Sequence, residues 1–365
     1  MTEDRTFCTD LNINCRYSML RNDKQGIIMT SNTMNTLKFI ALIGLLVCST
    51  HVFASSQLPL KSTEVDFYNQ TTQQPVKVKF WYQSQAEECR AQICLAAHQS
   101  KRKVAMISHG AFGSPIEMNW LGYALASQGY LVAGVAHYGE SWMYGKQSID
   151  PSVLLRFWQR PQEISFAIDK LSEPGLLSIT VDTNNILMLG HSAGGFTALA
   201  LAGSTLEAGK TERYCQSVIA ARDKSCDYGS TPKSNALSLA EMTTHQAKMF
   251  DNRINAIIAL DPALGHAVND NSLKKINVPT LIIGSVENDF LPYEQHAKHY
   301  AEHIENAQLI GVKQGAGHFV YINACQHEHK AKGVSLCKDR EGVDRKAIQQ
   351  QLLGHVFSFI AREHG

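Results

Sequence analysis

The sequence predicts an α/β fold, with a mostly parallel sheet covered by helices on both faces. Three observations carry that expectation. Apolar runs of four to seven residues recur along the chain and read as strands buried on both faces. Stretches with helical apolar spacing separate them. The residues best suited to acid–base or nucleophilic chemistry fall just after those runs, where open parallel sheets bind their ligands.

Taken in order, residues 76–82 alternate polar and apolar side chains, the pattern of a half-exposed strand. Residues 104–108 are a buried strand that ends at His109-Gly110, and 120–127 are helical. Gly129-Tyr130 leads into a strand over 131–135, and helical spacing follows over 162–171. A strand over 186–189 runs into a helix of small and apolar residues over 196–202. Strands follow over 254–260 and 280–284, then a helix over 292–304 and a last strand over 308–312. An amphipathic helix over 347–361 closes the chain. The stretch 204–252 is the least regular, and it reads as an excursion that covers the site like a lid. No internal repeat, heptad or low-complexity block interrupts the pattern.

Composition bounds the partners. The 365 residues are 44% hydrophobic and 18% charged, enough for a sizeable core. The formal net charge is +1, and no Lys/Arg block is long enough for a nucleic acid or an anionic membrane surface. A small molecule is therefore the expected partner.

Residues 1–33 are polar and aperiodic, and read as a leader or a mis-assigned start, expected to be disordered. Residues 34–54 read as a signal peptide: Lys38, an apolar run over 39–47, then Val52 and Ala54 at −3 and −1 of a cut after Ala54. The apolar run is too short to span a bilayer, so no stable membrane span is expected there. One catalytic domain over 55–365 remains, destined for the periplasm or the exterior. Cysteine use agrees. Nine are encoded, and six follow the cut in three local couples: 89–94, 215–226 and 325–337. Pairing of neighbours is one of 15 possible schemes and suits an oxidising compartment. No Cys-x-x-Cys is present to suggest a zinc site of that kind.

Gly190-His191-Ser192-Ala193-Gly194-Gly195 contains Gly-x-Ser-x-Gly. Turning from a strand into a helix in so few residues forces the central residue into a strained backbone and leaves no room for side chains two positions away. The motif alone arises by chance roughly once in ten chains of this length. Here an apolar strand precedes it and a small-residue helix follows, as such a bend requires.

A serine hydroxyl needs a base, and an imidazole needs an acid to hold its tautomer. Fifteen histidines occur, and His318 in Gly317-His318-Phe319 stands out because it follows the last strand on a glycine-rich loop. His191 adjoins the serine but points elsewhere at such a bend. His296, His299 and His303 share helical spacing and read as a solvated face, with a metal site as the lesser alternative, and His327-Glu328-His329 reads the same way. Asp289 follows the penultimate strand and gives the chain order Ser, Asp, His, so it is the preferred acid. Asp261, in Leu260-Asp261-Pro262, ends the strand before and is its rival. The backbone N–H groups of Ala193 and Ala111 are the expected oxyanion donors, and His109 is expected to anchor the Ala111 loop. Trp142, Tyr144, Phe157 and Trp158 are candidates for an acyl pocket or for core.

Together these segments resemble the α/β-hydrolase superfamily over roughly residues 74–365. More narrowly they resemble the predicted dienelactone-hydrolase group that includes platelet-activating-factor-acetylhydrolase-like members. The resemblance rests on Ser108-His109-Gly110-Ala111-Phe112-Gly113, Gly129-Tyr130, Gly190-His191-Ser192-Ala193-Gly194-Gly195, Ala259-Leu260-Asp261-Pro262-Ala263 and Gly317-His318-Phe319. It implies hydrolysis of carboxylic esters without metal or organic cofactor. It also implies, for acetylhydrolase-like members, an acid on the loop matching Asp261, whereas most of the superfamily uses the loop matching Asp289. Dienelactone hydrolases proper carry cysteine where this chain has Ser192. Two other readings stay open: an exopeptidase or amidase on the same fold, and a non-catalytic binding protein that retained the scaffold.

Overall fold

The computed structural model describes residues 58–85, 89–97, 101–228, 239–325 and 327–364. The expected leader over 1–33 and signal peptide over 34–54 lie outside the described residues. The chain opens with a hairpin of β1 (Leu60–Asn69) and β2 (Gln74–Gln83). Strand–helix alternation then runs through β3 (Arg102–Ser108), α1 (Asn119–Ser127), β4 (Leu131–Ala136), α2 (Gln159–Lys170), β5 (Val181–His191) and α3 (Ala193–Leu201). Next come α4 (Lys210–Cys215), α5 (Leu239–Gln246), β6 (Ile254–Leu260), α6 (Asp270–Leu273), β7 (Thr280–Ser285), α7 (Ala297–His303) and β8 (Ala307–Val312). A small hairpin of β9 (Lys330–Ala331) and β10 (Val334–Ser335) precedes the closing helix α8 (Arg345–Glu363).

Eight strands form one sheet in the order β1-β2-β4-β3-β5-β6-β7-β8. The β1–β2 and β2–β4 pairs are antiparallel, and every pair from β4 to β8 is parallel. This topology is that of the α/β-hydrolase fold. The chain steps outward from β3 to β4, then returns past β3 to lay down β5 to β8. That reversal opens a crevice at the carboxyl ends of the central strands. Register aligns those ends: Ser108 lies opposite Gly190, His191 opposite Leu260, and Ser285 opposite Val312.

The strands form where the sequence is continuously apolar because both sheet faces are covered. One face packs Ile164, Ile168, Phe196, Leu199 and Tyr300, and the other packs Leu121, Leu125, Leu352, Val356 and Phe359. Strand β1 has no counterpart in the sequence reading. It is an edge strand whose only buried residue is Val65, and Glu64 and Asp66 pair with Lys79 and Lys77 of β2. Charge on a sheet edge discourages pairing with other chains and also erases the apolar signal.

The helix expected over 292–304 is interrupted. A short 3₁₀ turn (Tyr293–Gln295) precedes α7, and the chain bends at His296 between them. The excursion over 204–252 contains α4, two 3₁₀ turns (Val218–Arg222 and Lys224–Tyr228) and α5. Three disulfides join Cys89 to Cys94, Cys215 to Cys226 and Cys325 to Cys337, the pairing of neighbours. Among the described residues no helix is long and apolar enough to cross a membrane.

Close packing behind the site depends on Trp81. Its ring is fully buried, its Nε1–H donates to Asn119 Oδ1 at 2.9 Å, and it lies against Gly122 of α1 and Gly134 of β4. A Cβ on Gly122 would fall 2.6 Å from the indole. Overpacking of this kind costs about 1–3 kcal/mol. Gly122→Ala is expected to lose that much in urea unfolding, and an unchanged midpoint would show that the indole yields freely.

Candidate active site

The bend after β5 places Ser192 at φ 56° and ψ −119°, directly before α3. A serine tolerates that conformation only when its surroundings dictate it. Here they do. The Ser192 N–H donates to the Leu260 carbonyl at 2.9 Å, and its carbonyl accepts from Phe196 and Ala263. A Cβ on Gly190 would strike the Gly194 carbonyl, and one on Gly194 would strike the Ser108 carbonyl. Glycine at 190 and 194 therefore allows strand, bend and helix to close on one another. Among the described residues seven non-glycine residues have positive φ, and four of them, Phe112, Ser192, Asp261 and Leu264, lie on the loops that follow β3, β5 and β6. Strain concentrated in this way marks a functional site.

His318 lies on the loop after β8 and is 1% exposed. Its Nδ1 is 3.3 Å from Asp261 Oδ2. Asp261 is itself buried, and it also accepts from the Ser285 N–H at 2.8 Å and from Asn288 Nδ2 at 2.7 Å. The preferred acid, Asp289, sits differently. Its Oδ1 accepts the backbone N–H of His318 at 2.9 Å, and its carboxylate lies against Gly317. A Cβ on Gly317 would fall 2.7 Å from both Asp289 oxygens. The imidazole thus faces Asp261, while Asp289 holds the loop that carries it. Chain order could not separate the two, because both lie between Ser192 and His318.

His191 turns away from the crevice, as expected of a neighbour at the bend, and pairs through Nε2 with the His318 carbonyl at 3.0 Å. Bend and imidazole loop are thereby joined. Asp261 engages Nδ1 of His318 and leaves Nε2 to the opposite side of the ring. Burial disfavours charge along this axis. It pushes His318 down to about 3, against the pull of the Asp289 charge. It raises Asp261 well above the ordinary carboxylate range, against its hydrogen bonds from Ser285. Phe290 adds to the desolvation, its ring stacked on the imidazole at 5.1 Å and 10°.

The two expected oxyanion donors flank the bend. Ala193 is the first residue of α3, where a backbone N–H has no partner inside the helix. Ala111 is on the loop after β3, which abuts Ser192: a Cβ on neighbouring Gly110 would lie 3.4 Å from the Ser192 Cβ. A buried ion pair fixes that loop. Arg160 of α2 donates to Glu140 at 2.7 and 2.8 Å, to the His109 carbonyl at 2.8 Å and to the Gly110 carbonyl at 3.3 Å. Glu140 accepts the Phe112 N–H at 3.4 Å, next to Ala111. Burial alone would raise the Glu140 carboxyl, but the Arg160 charge outweighs it and holds it below its ordinary range.

Beneath the pair, His109 joins the Gly110 carbonyl through Nδ1 at 2.7 Å and accepts the His137 N–H at 3.1 Å. His137 bridges Ser108 and Glu163 at 2.8 and 2.6 Å. The sequence reading missed Arg160, Glu140 and Glu163. For Arg160 and Glu163 the only signal is charge on the inward face of a helix whose start it placed at residue 162, and Glu140 lies on the loop after β4 with no such pattern around it.

Of the four candidate pocket aromatics, Phe157 and Trp158 belong to the core, and Tyr144 hydrogen-bonds the edge of β2 and β4. Trp142 alone is exposed, with its Nε1–H on Glu117 at 3.4 Å. A different aromatic row runs from the Ala111 loop to His318. Phe112 stacks on Tyr228 at 6.0 Å, and Tyr228 meets Phe290 at 6.3 Å. Tyr228 comes from the 204–252 excursion. A cavity of about 310 Å³ lies behind Asp289, lined in part by Phe319, Val334 and Arg340. It lacks Ser192 and His318 and is not the reacting crevice.

No known protein family and no curated protein matches this chain in sequence. Among solved structures, a ferulic acid esterase from Streptomyces cinnamoneus is similar, with 18% identity over 73% of this chain and 77% of that one and a TM-score of 0.42. No residue role is carried across so distant a likeness.

Backbone strain at residue 192 is testable without any substrate. Alanine must bear the same positive φ, which costs about 1–3 kcal/mol, whereas glycine adopts it freely at an entropic cost of about 0.5–1 kcal/mol. Ser192→Gly is expected to unfold in urea about 1 kcal/mol later than Ser192→Ala. Equal stabilities would mean that the bend relaxes.

Proposed function

We propose that this chain is an exported serine hydrolase that cleaves carboxylic esters through an acyl-enzyme. One observation carries the reading: a serine on a strained strand–helix bend is hydrogen-bonded through its backbone to the turn that presents a buried carboxylate, and that carboxylate holds Nδ1 of an imidazole. Ser192 is the nucleophile, His318 the general base and Asp261 the acid that orients it. Asp289 positions the His318 backbone. The fit of Asp261 supports the resemblance to acetylhydrolase-like members of the predicted dienelactone-hydrolase group. Export is supported by the three disulfides and by the sequence pattern over 34–54.

Ser192 Oγ attacks the ester carbonyl while His318 Nε2 takes its proton. Negative charge moves to the former carbonyl oxygen, which rests on the N–H groups of Ala193 and Ala111 at the positive end of α3. The intermediate collapses, the C–O bond to the alcohol breaks, and His318 returns its proton to the departing oxygen. Water then enters, gives a proton to His318 and its oxygen to the acyl carbon. Collapse of the second intermediate releases the acid and restores Ser192. The aromatic row of Phe112, Tyr228 and Phe290 suits an ester with an apolar or aromatic face beside the scissile bond.

Turnover of p-nitrophenyl esters of graded chain length, with fluorophosphonate labelling of Ser192, tests the assignment. Ser192→Ala is expected to cut kcat by at least about 10³ and Asp261→Asn by about 10²–10⁴. Asp289→Asn is expected to stay within about threefold, because an amide oxygen still accepts the His318 N–H. The reverse order for the two aspartates would hand the acid role to Asp289. Hydrolysis of amides in preference to esters would favour an amidase, and no labelling at all would favour a binding protein.

A pH profile tests the burial of His318. A base with a lowered pKa stays unprotonated at lower pH, so the acid limb of kcat/KM should lie below the ordinary histidine value of 6.5. Phe290→Ala admits water to the imidazole and should move the limb up toward 6.5. A wild-type limb at or above 6.5 contradicts this account of the site.

A further inference from the structure

Asp223, His266 and His296 meet behind the acid loop, and they come from three separate segments. Asp223 belongs to the 204–252 excursion, between its two 3₁₀ turns; His266 follows β6; His296 precedes α7. All three are buried, at 4%, 7% and 1% exposure. Their potential ligand atoms lie within 4.8 Å of one another. Asp223 Oδ2 is 2.7 Å from His296 Nε2 and 3.7 Å from His266 Nδ1. The sequence reading put His296 on a solvated face with His299 and His303. The bend before α7 instead turns His296 inward and leaves the other two half-buried.

His266 supplies the second observation. Its side chain is 2% exposed, stacks face to face on Tyr214 at 4.2 Å, and points Nδ1 at Asp223. Both of its ring nitrogens are buried with no hydrogen-bond partner. An imidazole must hold a proton on one nitrogen and a lone pair on the other, and leaving either unpaired in the interior costs free energy. His296 and Asp223, by contrast, satisfy one another.

We propose that Asp223 Oδ2, His266 Nδ1 and His296 Nε2 bind a divalent ion of the zinc class. Two imidazoles and one carboxylate suit a borderline cation, and three protein ligands leave a fourth position for water or for the Tyr214 hydroxyl. That hydroxyl already lies 3.0 Å from Asp223 Oδ2. Bonds of about 2.0–2.1 Å in tetrahedral array set ligand atoms about 3.3–3.5 Å apart. The 3.7 Å pair is close to that, and the 2.7 Å pair must open by less than about 1 Å. The ion replaces the proton now shared by His296 Nε2 and Asp223. That proton moves to Nδ1 or leaves to solvent, and in the first case the 3.3 Å bond from the Gly265 N–H to Nδ1 is given up.

The neighbouring group of Asp270, His299 and His303 is the weaker candidate, because the Lys210 ammonium already lies 3.0 Å from Asp270. At the proposed site the ion would fasten the excursion to the loops that carry Asp261 and Phe290. The Lys224 N–H, one residue past Asp223, already donates to the Phe290 carbonyl at 2.8 Å. The inference does not rest on the ester-hydrolase reading, and its test reads metal uptake rather than turnover.

The oxidised chain, stripped with a chelator and dialysed, is titrated with Co²⁺ alone and then with Zn²⁺ alone. The expected result is one equivalent of Co²⁺ with visible absorption of a four- or five-coordinate site, displaced by Zn²⁺. Zinc at 100 times its Kd should raise Tm by about 5 °C. His266→Gln and His266→Phe, the latter keeping the stack on Tyr214, should each abolish uptake, while His303→Gln keeps it. Should one of the His266 variants fail to fold, the other carries the comparison. No uptake by the wild-type chain, or uptake that survives both His266 variants and vanishes in His303→Gln, overturns the proposal.

Discussion

The bend at Ser192 constrains more of this molecule than any other contact. Holding a serine at φ 56° costs free energy, and neighbouring backbone supplies the compensation. The Ser192 N–H binds the end of β6 through Leu260, and the Ser192 carbonyl binds the residue two beyond Asp261. The strained residue that presents the hydroxyl therefore also fixes the turn that presents Asp261, which has a positive φ of its own. Gly190, Gly194 and Gly195 let β5, α3 and Pro262 approach closely enough for these bonds to form. Ser192 and Asp261 are two ends of one packed unit, and His318 is added to it through Asp261 and His191.

Much of this was legible in the sequence because it follows from local rules. Continuous apolar runs forced strands covered on both faces, and two glycines flanking Ser192 announced the bend. Paired local cysteines foretold the disulfides. What stayed hidden depends on distant partners. Strand β1 carries charge outward and hides its pairing with β2. Nothing local marks Arg160 and Glu140, which α2 and the loop after β4 bury against the Ala111 loop. His296 shares helical spacing with His299 and His303, yet a bend before α7 separates their surroundings. The choice between Asp261 and Asp289 was open for a geometric reason, since both follow strands and both precede His318.

A buried polar network flanks the candidate crevice. Under the Ala111 loop, Arg160 and Glu140 bond each other and the loop backbone, while His137 and Glu163 lie beneath. Buried ion pairs contribute little net stability, so their value here is better sought in the position they impose. Arg160 donates to two consecutive carbonyls and Glu140 accepts the N–H two residues further on, which fixes the peptide planes on both sides of Ala111. Electrostatic stabilisation of an oxyanion depends on donors that need no reorganisation at the moment of reaction. Burial also pushes His109 down to about 3, so it stays neutral and keeps its bonds as the pH falls.

The two carboxylates near His318 divide their work by what reaches them. Asp261 is met by the imidazole Nδ1, by an asparagine amide and by a backbone N–H, so its oxygens are committed to orienting a ring. Asp289 meets the main chain of the same histidine and crowds Gly317, where no side chain would fit. Moving the acid role from Asp261 to Asp289 would require Nδ1 to leave a carboxylate that two other donors hold in place. It would also require Asp289 to release the N–H that shapes the loop. Asp261 thus bears on the direction of the imidazole ring, and Asp289 on the backbone that carries it.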